Sequence, residues 1–318
     1  MKHVWRPVRL AQEQGFTGTA EKQQMAPRLP LVATFLGMLA AGSAFARDPD
    51  TARPVDACAA ATGCRVESGS YRVVLPPQAG AGRRVGAILY FHGYQGSAEE
   101  VIADAGLVAV AWRLGVALIA PDGAGRSWSF PGSPAKQRDE FAFVGQVLDD
   151  AVARFPVDPG RILVSGFSQG GSMVWYLACR MPRRFAGFAP IAGAFWEPLP
   201  ESCESPRPPL IHVHGTSDTT VPLAGRALRQ GYKQGDVFKS LAILAPNGCT
   251  AGWAEAARAT PAPEDLTCRV ATACGNKARL ELCLHGGGHI ADAAWVERAW
   301  RLIMPAEPAT STTRLTSP

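Results

Sequence analysis

An α/β domain, in which helices flank a mostly parallel sheet, is the fold class that the sequence predicts, and three observations lead to it. Apolar runs such as Val85–Phe91 and Arg161–Ser165 have the composition of strands that are buried on both faces. Segments with helical spacing alternate with these runs, as they do in βαβ units. The 318 residues are 47% hydrophobic and 19% charged, so the chain can bury a core, and wholesale disorder is excluded.

The individual elements follow from hydrophobic periodicity. Residues 47–70 show no period and form an N-terminal arm, and residues 121–137 form a loop rich in Gly, Ser and Pro. Continuous or alternating apolar runs predict the strands, and spacings of three and four predict the helices. The predicted strands are Tyr71–Leu75, Val85–Phe91, Val116–Ala120, Arg161–Ser165, Phe188–Ile191, Leu210–Val213, Leu241–Leu244, Leu266–Ala271 and Arg279–Leu284. The predicted helices are Ala98–Leu114, Arg138–Phe155, Gln169–Arg180, Ala224–Gln234 and Asp292–Ile303.

The first 46 residues have the layout of a secretory signal peptide. Arg28 precedes the apolar run Leu31–Ala41, and Ala44-Phe45-Ala46 forms an A-x-A cleavage pattern before the polar segment that begins at Arg47. The run is too short for a stable bilayer anchor, and an uncleaved anchor is the alternative reading. Met25 begins a signal of ordinary length, so we expect translation to start there.

Cleavage near Ala46 predicts a secreted or periplasmic protein with one catalytic domain, residues 47–304, and a disordered tail, residues 305–318. The formal net charge of +5 is mild, and much of it lies in the leader, so no case for a nucleic acid or a stable membrane partner remains. The oligomeric state is not predicted.

Eight cysteines follow the leader, and in an exported chain an even number predicts disulfides. Their spacing does not match a zinc site. The spacing favours Cys58–Cys64 and Cys179–Cys203, and we expect the remaining four cysteines to pair among themselves. The alternative is that one or two of them are free, buried thiols. The four cysteines whose individual partners the spacing does not assign are Cys249, Cys268, Cys274 and Cys283.

The strongest chemical signal is the segment GFSQGG, residues 166–171, which places Ser168 between a predicted strand and a predicted helix. This is the context of the G-x-S-x-G nucleophile elbow, in which glycines allow a strained turn to expose a serine hydroxyl. The alternative is a glycine-rich turn with an idle serine. The context favours Ser168 as a nucleophile.

A serine hydroxyl needs a base and an acid, which in this topology follow it in the order Asp or Glu, then His. His289 follows three glycines after the last predicted strand, and we favour it over His285, which ends that strand and is assigned a structural role. Asp218 is the only carboxylate in the loop after Leu210–Val213, although a turn or cap aspartate is the alternative. His212 and His214 are assigned no catalytic role.

An oxyanion that forms at the substrate carbonyl needs two backbone N–H donors. Gln169, which follows the nucleophile, should provide one, and Tyr94, in the HGYQG segment after Val85–Phe91, should provide the other. An ordinary strand-ending turn is the alternative for the second segment. We expect neither a metal nor a cofactor.

Four segments occur in the order HGYQGS, GFSQGG, HGTSD and GGGH, and together they resemble the polyhydroxybutyrate depolymerase family of α/β-hydrolase esterases. That family also includes secreted feruloyl and acetylxylan esterases. The resemblance covers roughly residues 68–303 and extends to PDG at residues 121–123 and RDEFAFV at residues 138–144. It implies an α/β-hydrolase fold with Ser168 as nucleophile, Asp218 as acid and His289 as base.

Two differences from the family bear on the substrate. Ile290-Ala291-Asp292 stands where members often have a Trp-Pro pair, and a short tail stands where multidomain members carry a substrate-binding domain. We therefore expect a secreted serine esterase that acts on soluble or oligomeric esters, with hydroxyalkanoate, feruloyl and acetyl esters as candidates. A peptidase or thioesterase on the same fold is the alternative, and a non-catalytic binding protein is another. Four loop aromatics are candidates for lining a pocket or anchoring loops: Trp128, Phe130, Phe195 and Trp196.

Overall fold

The structure is a computed structural model, and it describes Cys58 and residues 63–80, 82–245, 249–259, 266–271 and 278–304. The predicted signal peptide, the start at Met25, the cleavage near Ala46 and the tail after residue 304 lie outside these residues. Within the described residues, no helix is both long enough and apolar enough to cross a bilayer.

Nine strands of the described residues form one sheet, in the order β1-β2-β4-β3-β5-β6-β7-β11-β10. The six strands from β4 to β11 run parallel to their neighbours, whereas β1, β2 and β10 pair antiparallel at the two edges. The predicted fold class, a mostly parallel sheet flanked by helices, is confirmed. The strands of this sheet are β1 (Cys64–Val66), β2 (Gly69–Val74), β3 (Val85–Phe91), β4 (Ala117–Pro121), β5 (Val157–Phe167), β6 (Gly187–Ile191), β7 (Leu210–Gly215), β10 (Thr267–Val270) and β11 (Leu280–His285).

Helices cover both faces of the sheet, and each face has its own apolar cluster. Successive residues of β3 contribute to opposite faces, because side chains alternate along a strand: Leu89 joins the cluster that includes α3, α4 and α5, and Ile88 joins the cluster that includes α1, α2 and α7. The continuous apolar strands that the sequence shows are therefore buried on both sides. The helices of the described residues are α1 (Ala98–Ala103), α2 (Ala105–Leu114), α3 (Glu140–Arg154), α4 (Gln169–Arg180), α5 (Val237–Leu244), α6 (Trp253–Ala259) and α7 (Ala293–Ile303).

Three predicted elements are wrong, each for a local reason. The helix predicted over Ala98–Leu114 is two helices, because Asp104 adopts an extended conformation and its side chain accepts a hydrogen bond from Leu107 N to cap α2. The helix predicted over Ala224–Gln234 is a small hairpin of β8 (Arg226–Ala227) and β9 (Lys233–Gln234), since Gly225, Gln230 and Gly231 have positive φ.

The strand predicted over Leu241–Leu244 is the last turn of helix α5. Asp236 caps this helix through Lys239 N, and the buried residues Val237, Ser240, Leu241 and Leu244 follow helical spacing. A run of four apolar residues does not distinguish a strand from a buried helix. The helical spacing becomes visible only when residues 237–244 are taken together.

Disulfides occur where the spacing favoured them, between Cys58 and Cys64 and between Cys179 and Cys203. Cys268 and Cys283 form a further bridge that joins the edge strand β10 to β11. Cys249 is also disulfide-bonded. The alternative of free thiols is wrong for the described cysteines, and Cys274 lies outside the described residues.

Candidate active site

Ser168 lies at the sharp turn between the end of β5 and the start of α4. Its φ of 59° and ψ of −121° form a backbone conformation that a residue with a Cβ rarely adopts, so the turn stores strain. Ser168 N donates to Ile191 O at 3.0 Å, which ties the turn to the end of β6. The predicted strand–turn–helix context of Ser168 is present.

The turn also requires glycine, because other backbone segments approach it closely. A Cβ placed on Gly170 would lie 2.1 Å from Phe91 O, and one placed on Gly166 would lie 2.8 Å from the same oxygen. Neither position has room for a side chain. The glycines therefore let the end of β3 approach the serine, and this end carries the candidate oxyanion segment.

Ser168, His289 and Asp218 form a continuous chain of hydrogen bonds. His289 Nε2 lies 2.8 Å from Ser168 Oγ, and His289 Nδ1 lies 2.7 Å from Asp218 Oδ2. The Phe167 ring packs against the His289 imidazole, with centroids 4.6 Å apart. The structure thus brings together the three residues that the sequence singled out, although 121 positions separate the serine from the histidine.

Asp218 is held as an ionised acceptor. Its Oδ1 accepts hydrogen bonds from Thr220 N and Val221 N, both at 2.8 Å, and its Oδ2 faces His289. Burial acts to raise the pKa of this carboxyl, but the bonds from His289 and Val221 outweigh burial and lower its pKa below the ordinary value. At neutral pH Asp218 is therefore a fixed carboxylate.

The loops that carry Asp218 and His289 are hydrogen-bonded to each other, and His285 has a structural role in this contact. Thr216 N donates to His285 O at 2.8 Å, and Ser217 N donates to Gly287 O at 3.2 Å. The His285 ring accepts from Gly287 N through Nδ1 at 3.1 Å and packs on Trp295. His285 thereby shapes the glycine loop that places His289, and it does not contact Ser168.

The HGYQG segment is held by its own histidine. The His92 ring donates from Nδ1 to Gly93 O at 2.8 Å and accepts from Gly123 N at Nε2 at 2.9 Å. Gly93 O also accepts from Gly96 N at 3.0 Å. Because the C=O and N–H of a trans peptide point in opposite directions, Tyr94 N–H points away from both of these donors.

The two amides predicted to stabilise an oxyanion are those of Tyr94 and Gln169. Among the described residues, neither Tyr94 N–H nor Gln169 N–H has a hydrogen-bond acceptor. The Cα of Gly93 lies close to the nucleophile, since a Cβ placed there would be 3.5 Å from Ser168 Cβ. The Gln169 side chain donates to Ser127 Oγ at 3.0 Å, which fixes the start of α4.

Hydrogen bonds from the PDG segment (residues 121–123) and the RDEFAFV segment (residues 138–144) hold the HGYQG loop in place. Arg138 Nη2 donates to Asp122 O at 2.9 Å and pairs with the buried Glu140 at 2.7 Å. Asp122 in turn accepts from Ala98 N at 2.8 Å. Gly123, the next residue, is the donor to His92. Sequence reasoning did not assign a role to His92, although its place directly after a buried strand and before Gly93 was a readable signal.

The four loop aromatics are buried and anchor loops, and one of them, Phe130, also lines a cavity. Trp128 is fully buried and donates from its indole to His92 O at 2.8 Å, and Phe130 stacks on Tyr176. Phe195 and Trp196 are buried as well. Tyr94, by contrast, is 65% exposed, and it follows Gly93, whose Cα lies close to Ser168. A cavity of about 440 Å³ lies farther along the 121–137 loop, and none of the three hydrogen-bonded residues lines it.

One group of potential metal ligands occurs in the described part of the chain, and its chemistry does not fit a metal. Cys268, Glu281 and Cys283 lie close together, but the two sulfur atoms form a disulfide and are not free thiolates. Glu281 pairs instead with Arg298 and Arg279.

Comparison with known proteins places these features in context. The model of the Phospholipase/Carboxylesterase family matches residues 133–235, which include Ser168 and Asp218. The protein named "Putative esterase NocK", from Nocardia uniformis subsp. tsuyamanensis, is 31% identical over 241 residues, or 69% of this chain and 70% of that protein.

Two further relatives are similar over a smaller share of their length. Feruloyl esterase B of Piromyces equi is 26% identical over 64% of this chain, and the match spans 39% of that protein. Poly(3-hydroxyalkanoate) depolymerase C of Paucimonas lemoignei is 30% identical over 31% of this chain, and the match spans 31% of that protein.

Proposed function

This chain belongs to the esterase family of the α/β-hydrolases, and from that premise we propose that it is an exported serine esterase that hydrolyses carboxylic esters through an acyl-enzyme. The observation that carries the proposal is the hydrogen-bonded chain of Ser168, His289 and Asp218 at the nucleophile turn. The catalytic domain in this proposal spans residues 47–304, and its chemistry needs no cofactor.

Acylation begins when Ser168 Oγ attacks the ester carbonyl carbon. His289 Nε2 accepts the hydroxyl proton as the new C–O bond forms, and it then donates that proton to the alkoxy leaving group. Water attacks the acyl-enzyme in the second half of the cycle, with His289 again as the base. The acid product leaves, and Ser168 regains its proton.

Asp218 orients the base and stabilises its charged form. Its Oδ2 accepts from His289 Nδ1–H, which leaves Nε2 unprotonated and directed at Ser168 Oγ. The two backbone amides that Asp218 Oδ1 accepts keep the carboxylate in place while the imidazolium forms. The lowered pKa of Asp218 supports this role, because the group stays ionised throughout the cycle.

The negative oxygen that forms in each half of the cycle is stabilised by Tyr94 N–H and Gln169 N–H. Support for this assignment comes from their lack of acceptors among the described residues and from the hydrogen bonds that hold the Gly93 carbonyl. An amide that is already oriented and unpaired loses no other hydrogen bond when the oxyanion binds. Removal of one such donor typically costs about 10²–10³ in kcat.

The acyl group of the substrate is short or aromatic in this proposal, with hydroxyalkanoate oligomers, feruloyl esters and acetyl esters as the candidates. The names of the relatives, a feruloyl esterase and a poly(3-hydroxyalkanoate) depolymerase, support the first two classes. Tyr94 is exposed and follows Gly93, whose Cα lies close to Ser168, and in this proposal its ring is the surface on which an aromatic acyl group stacks.

Two measurements test the proposal. Wild type should hydrolyse a short p-nitrophenyl ester, and Ser168→Ala should be folded and inactive; a folded variant that keeps most of its activity contradicts the serine mechanism. A panel of hydroxybutyrate oligomers, a polyhydroxybutyrate film, methyl ferulate, acetylated xylan and an acyl-peptide then identifies the substrate class. Faster turnover of the acyl-peptide than of every ester would contradict the esterase assignment.

A further inference from the structure

Two histidines of β7, His212 and His214, form a hydrogen-bonded pair close to Asp218. They are not part of the hydrogen-bonded series of Ser168, His289 and Asp218. Both side chains are fully buried. They lie two positions apart and so share one face of the strand. His212 Nε2 and His214 Nδ1 are 2.9 Å apart, His212 Nδ1 lies 3.0 Å from Pro190 O, and His214 Nε2 lies 2.7 Å from Val221 O.

The two imidazole rings, when neutral, have fewer N–H protons than hydrogen-bond contacts. A carbonyl oxygen only accepts, so the contacts with Pro190 O and Val221 O each require a ring N–H, and the contact between the two rings requires one more. Two neutral imidazoles carry one N–H each. In a neutral pair, therefore, one of the three contacts lacks its proton.

The position of Asp218 decides which contact is made. His214 Nε2 lies 3.6 Å from Asp218 Oδ2 in addition to its contact with Val221 O. If this nitrogen were unprotonated, its lone pair would face a carbonyl oxygen and a carboxylate together. A proton on Nε2 makes both contacts favourable. The second proton then lies between the rings, because two unprotonated ring nitrogens only 2.9 Å apart would direct their lone pairs at each other. His212 Nδ1 therefore faces Pro190 O without a proton.

The surroundings favour a neutral pair. Burial lowers the pKa of His212 well below its ordinary value and lowers the pKa of His214 to about 4. The groups that face the pair from other elements are the Trp175 ring of α4, packed edge-on to His212, the carbonyl of Pro190 in β6, and His285 and His289 of the β11 end. Asp218 also faces His214, and within the described part of the chain it is the one anion that contacts the pair.

Val221 connects the pair to the catalytic carboxylate. Its carbonyl accepts from His214 at 2.7 Å, and its amide donates to Asp218 Oδ1 at 2.8 Å. Movement of Val221 would therefore change the position of the carboxylate that orients His289. His214 acts on this arrangement from both sides, through the Val221 carbonyl and through the carboxylate itself.

We propose that His212 and His214 are positioning residues for Asp218: His212 donates from Nε2 to His214 Nδ1, and His214 donates from Nε2 toward Val221 O and the carboxylate. This inference rests on the proposed esterase function, because the effect on rate is read through that reaction. The pair does not touch the substrate. The role of the two histidines is to hold the loop that carries Asp218 and to direct an N–H, and not a lone pair, at the Asp218 carboxylate.

The kinetic test uses three variants. His214→Phe keeps a planar ring but removes the N–H, and His214→Gln keeps one donor and one acceptor. Tyr71→Phe, the control, removes a partly buried hydrogen bond to Asp150, which is far from the loop that carries Asp218. We expect His214→Phe to lower kcat by about 10- to 100-fold with KM within about twofold, since a displacement near 1 Å has that effect on a catalytic group. His214→Gln should recover most of kcat, and Tyr71→Phe should lower the melting temperature without lowering kcat.

The spectroscopic test does not depend on activity. Long-range proton–nitrogen NMR of nitrogen-15 histidine-labelled wild type distinguishes protonated from unprotonated ring nitrogens, and the His214→Gln spectrum assigns the His214 signals. We expect the proton on Nε2 of both His212 and His214 at neutral pH. If His214→Phe does not fold, this measurement alone decides.

Three results would overturn the inference: a folded His214→Phe with the kcat of wild type, a His214→Gln that is no more active than His214→Phe, or a proton on Nδ1 of either His212 or His214. A wild type without esterase activity is a different outcome, because it contradicts the proposed function while the NMR result still decides how the protons are placed.

Discussion

Replacement of Ser168 by glycine should give a more stable protein than replacement by alanine, although both variants lose the nucleophile. The backbone at this position has a φ of 59° and a ψ of −121°. A residue with a Cβ in such a conformation costs about 1–3 kcal/mol, and alanine retains that cost. Glycine avoids this strain. It also makes the unfolded chain more flexible, so that folding loses more conformational entropy, which costs about 0.5–1 kcal/mol. The net difference should be about 1 kcal/mol in favour of glycine.

Thermal or urea unfolding of the two inactive variants measures this difference. For a domain of this size, about 1 kcal/mol corresponds to about 2–4 °C in melting temperature. A matched control is Ala109→Gly, at an exposed position inside helix α2, where the same chemical change should destabilise by about 1 kcal/mol. If Ser168→Gly melts at or below Ser168→Ala, the nucleophile turn is not strained in the way described.

Four further predictions concern the base, the exported form, the acyl group and pH. His289→Ala should lose as much kcat as Ser168→Ala, because the catalytic residues act as a unit, whereas His285→Ala should be mild; steady-state kinetics on a p-nitrophenyl ester measures both. The exported protein should begin near Arg47 and contain three or four disulfides, which N-terminal sequencing and intact mass with and without reductant determine. Tyr94→Ala should raise KM for methyl ferulate several-fold and leave acetyl esters unchanged, as expected for the loss of a stacking surface whose backbone amide remains. The free energy of unfolding should fall by about 1.5 kcal/mol between about pH 6.5 and about pH 5 on account of His214 alone, and less in His214→Gln, as urea titrations measure.

The sign of the pH effect follows from which state binds the proton. Burial lowers the pKa of His214 in the folded protein to about 4, below its value in the unfolded chain. In the interval between the two values the unfolded state binds more protons, so stability rises with pH and is lost as the pH falls. His92, His212 and His285 also have lowered pKa values and act in the same direction. Stability that is flat over this interval would contradict the neutral state of the buried histidines.

Each of the remaining predictions also has an outcome that would contradict it. A fully active His289→Ala together with an inactive His285→Ala would reverse the assignment of the base. Eight free thiols in exported material would contradict the oxidising compartment. An equal effect of Tyr94→Ala on ferulate and acetate would show that the side chain does not select the acyl group.

The sequence by itself determined the local features of this site. The apolar strand, the glycines and the following helix around Ser168 are contiguous, so their pattern predicts the strained turn without knowledge of the rest of the molecule. The same holds for the buried strands, whose continuous apolar character requires helices on both faces. Where a local pattern was short, as at Leu241–Leu244, it was ambiguous and the predicted strand was wrong.

The tertiary structure decided which distant residues meet. His285 and His289 lie four positions apart in one glycine-rich segment, and the parallel pairing of β11 with β7 places His285 opposite Gly215, so that only His289 extends over the sheet edge to Ser168. Asp218 reaches His289 because its loop leaves β7 at the same edge. The pair of His212 and His214 depends on the carbonyls of Pro190 and Val221, which a sequence pattern does not locate. Hydrogen bonds between segments depend on strand order and register, and these are set by the packing of the whole core.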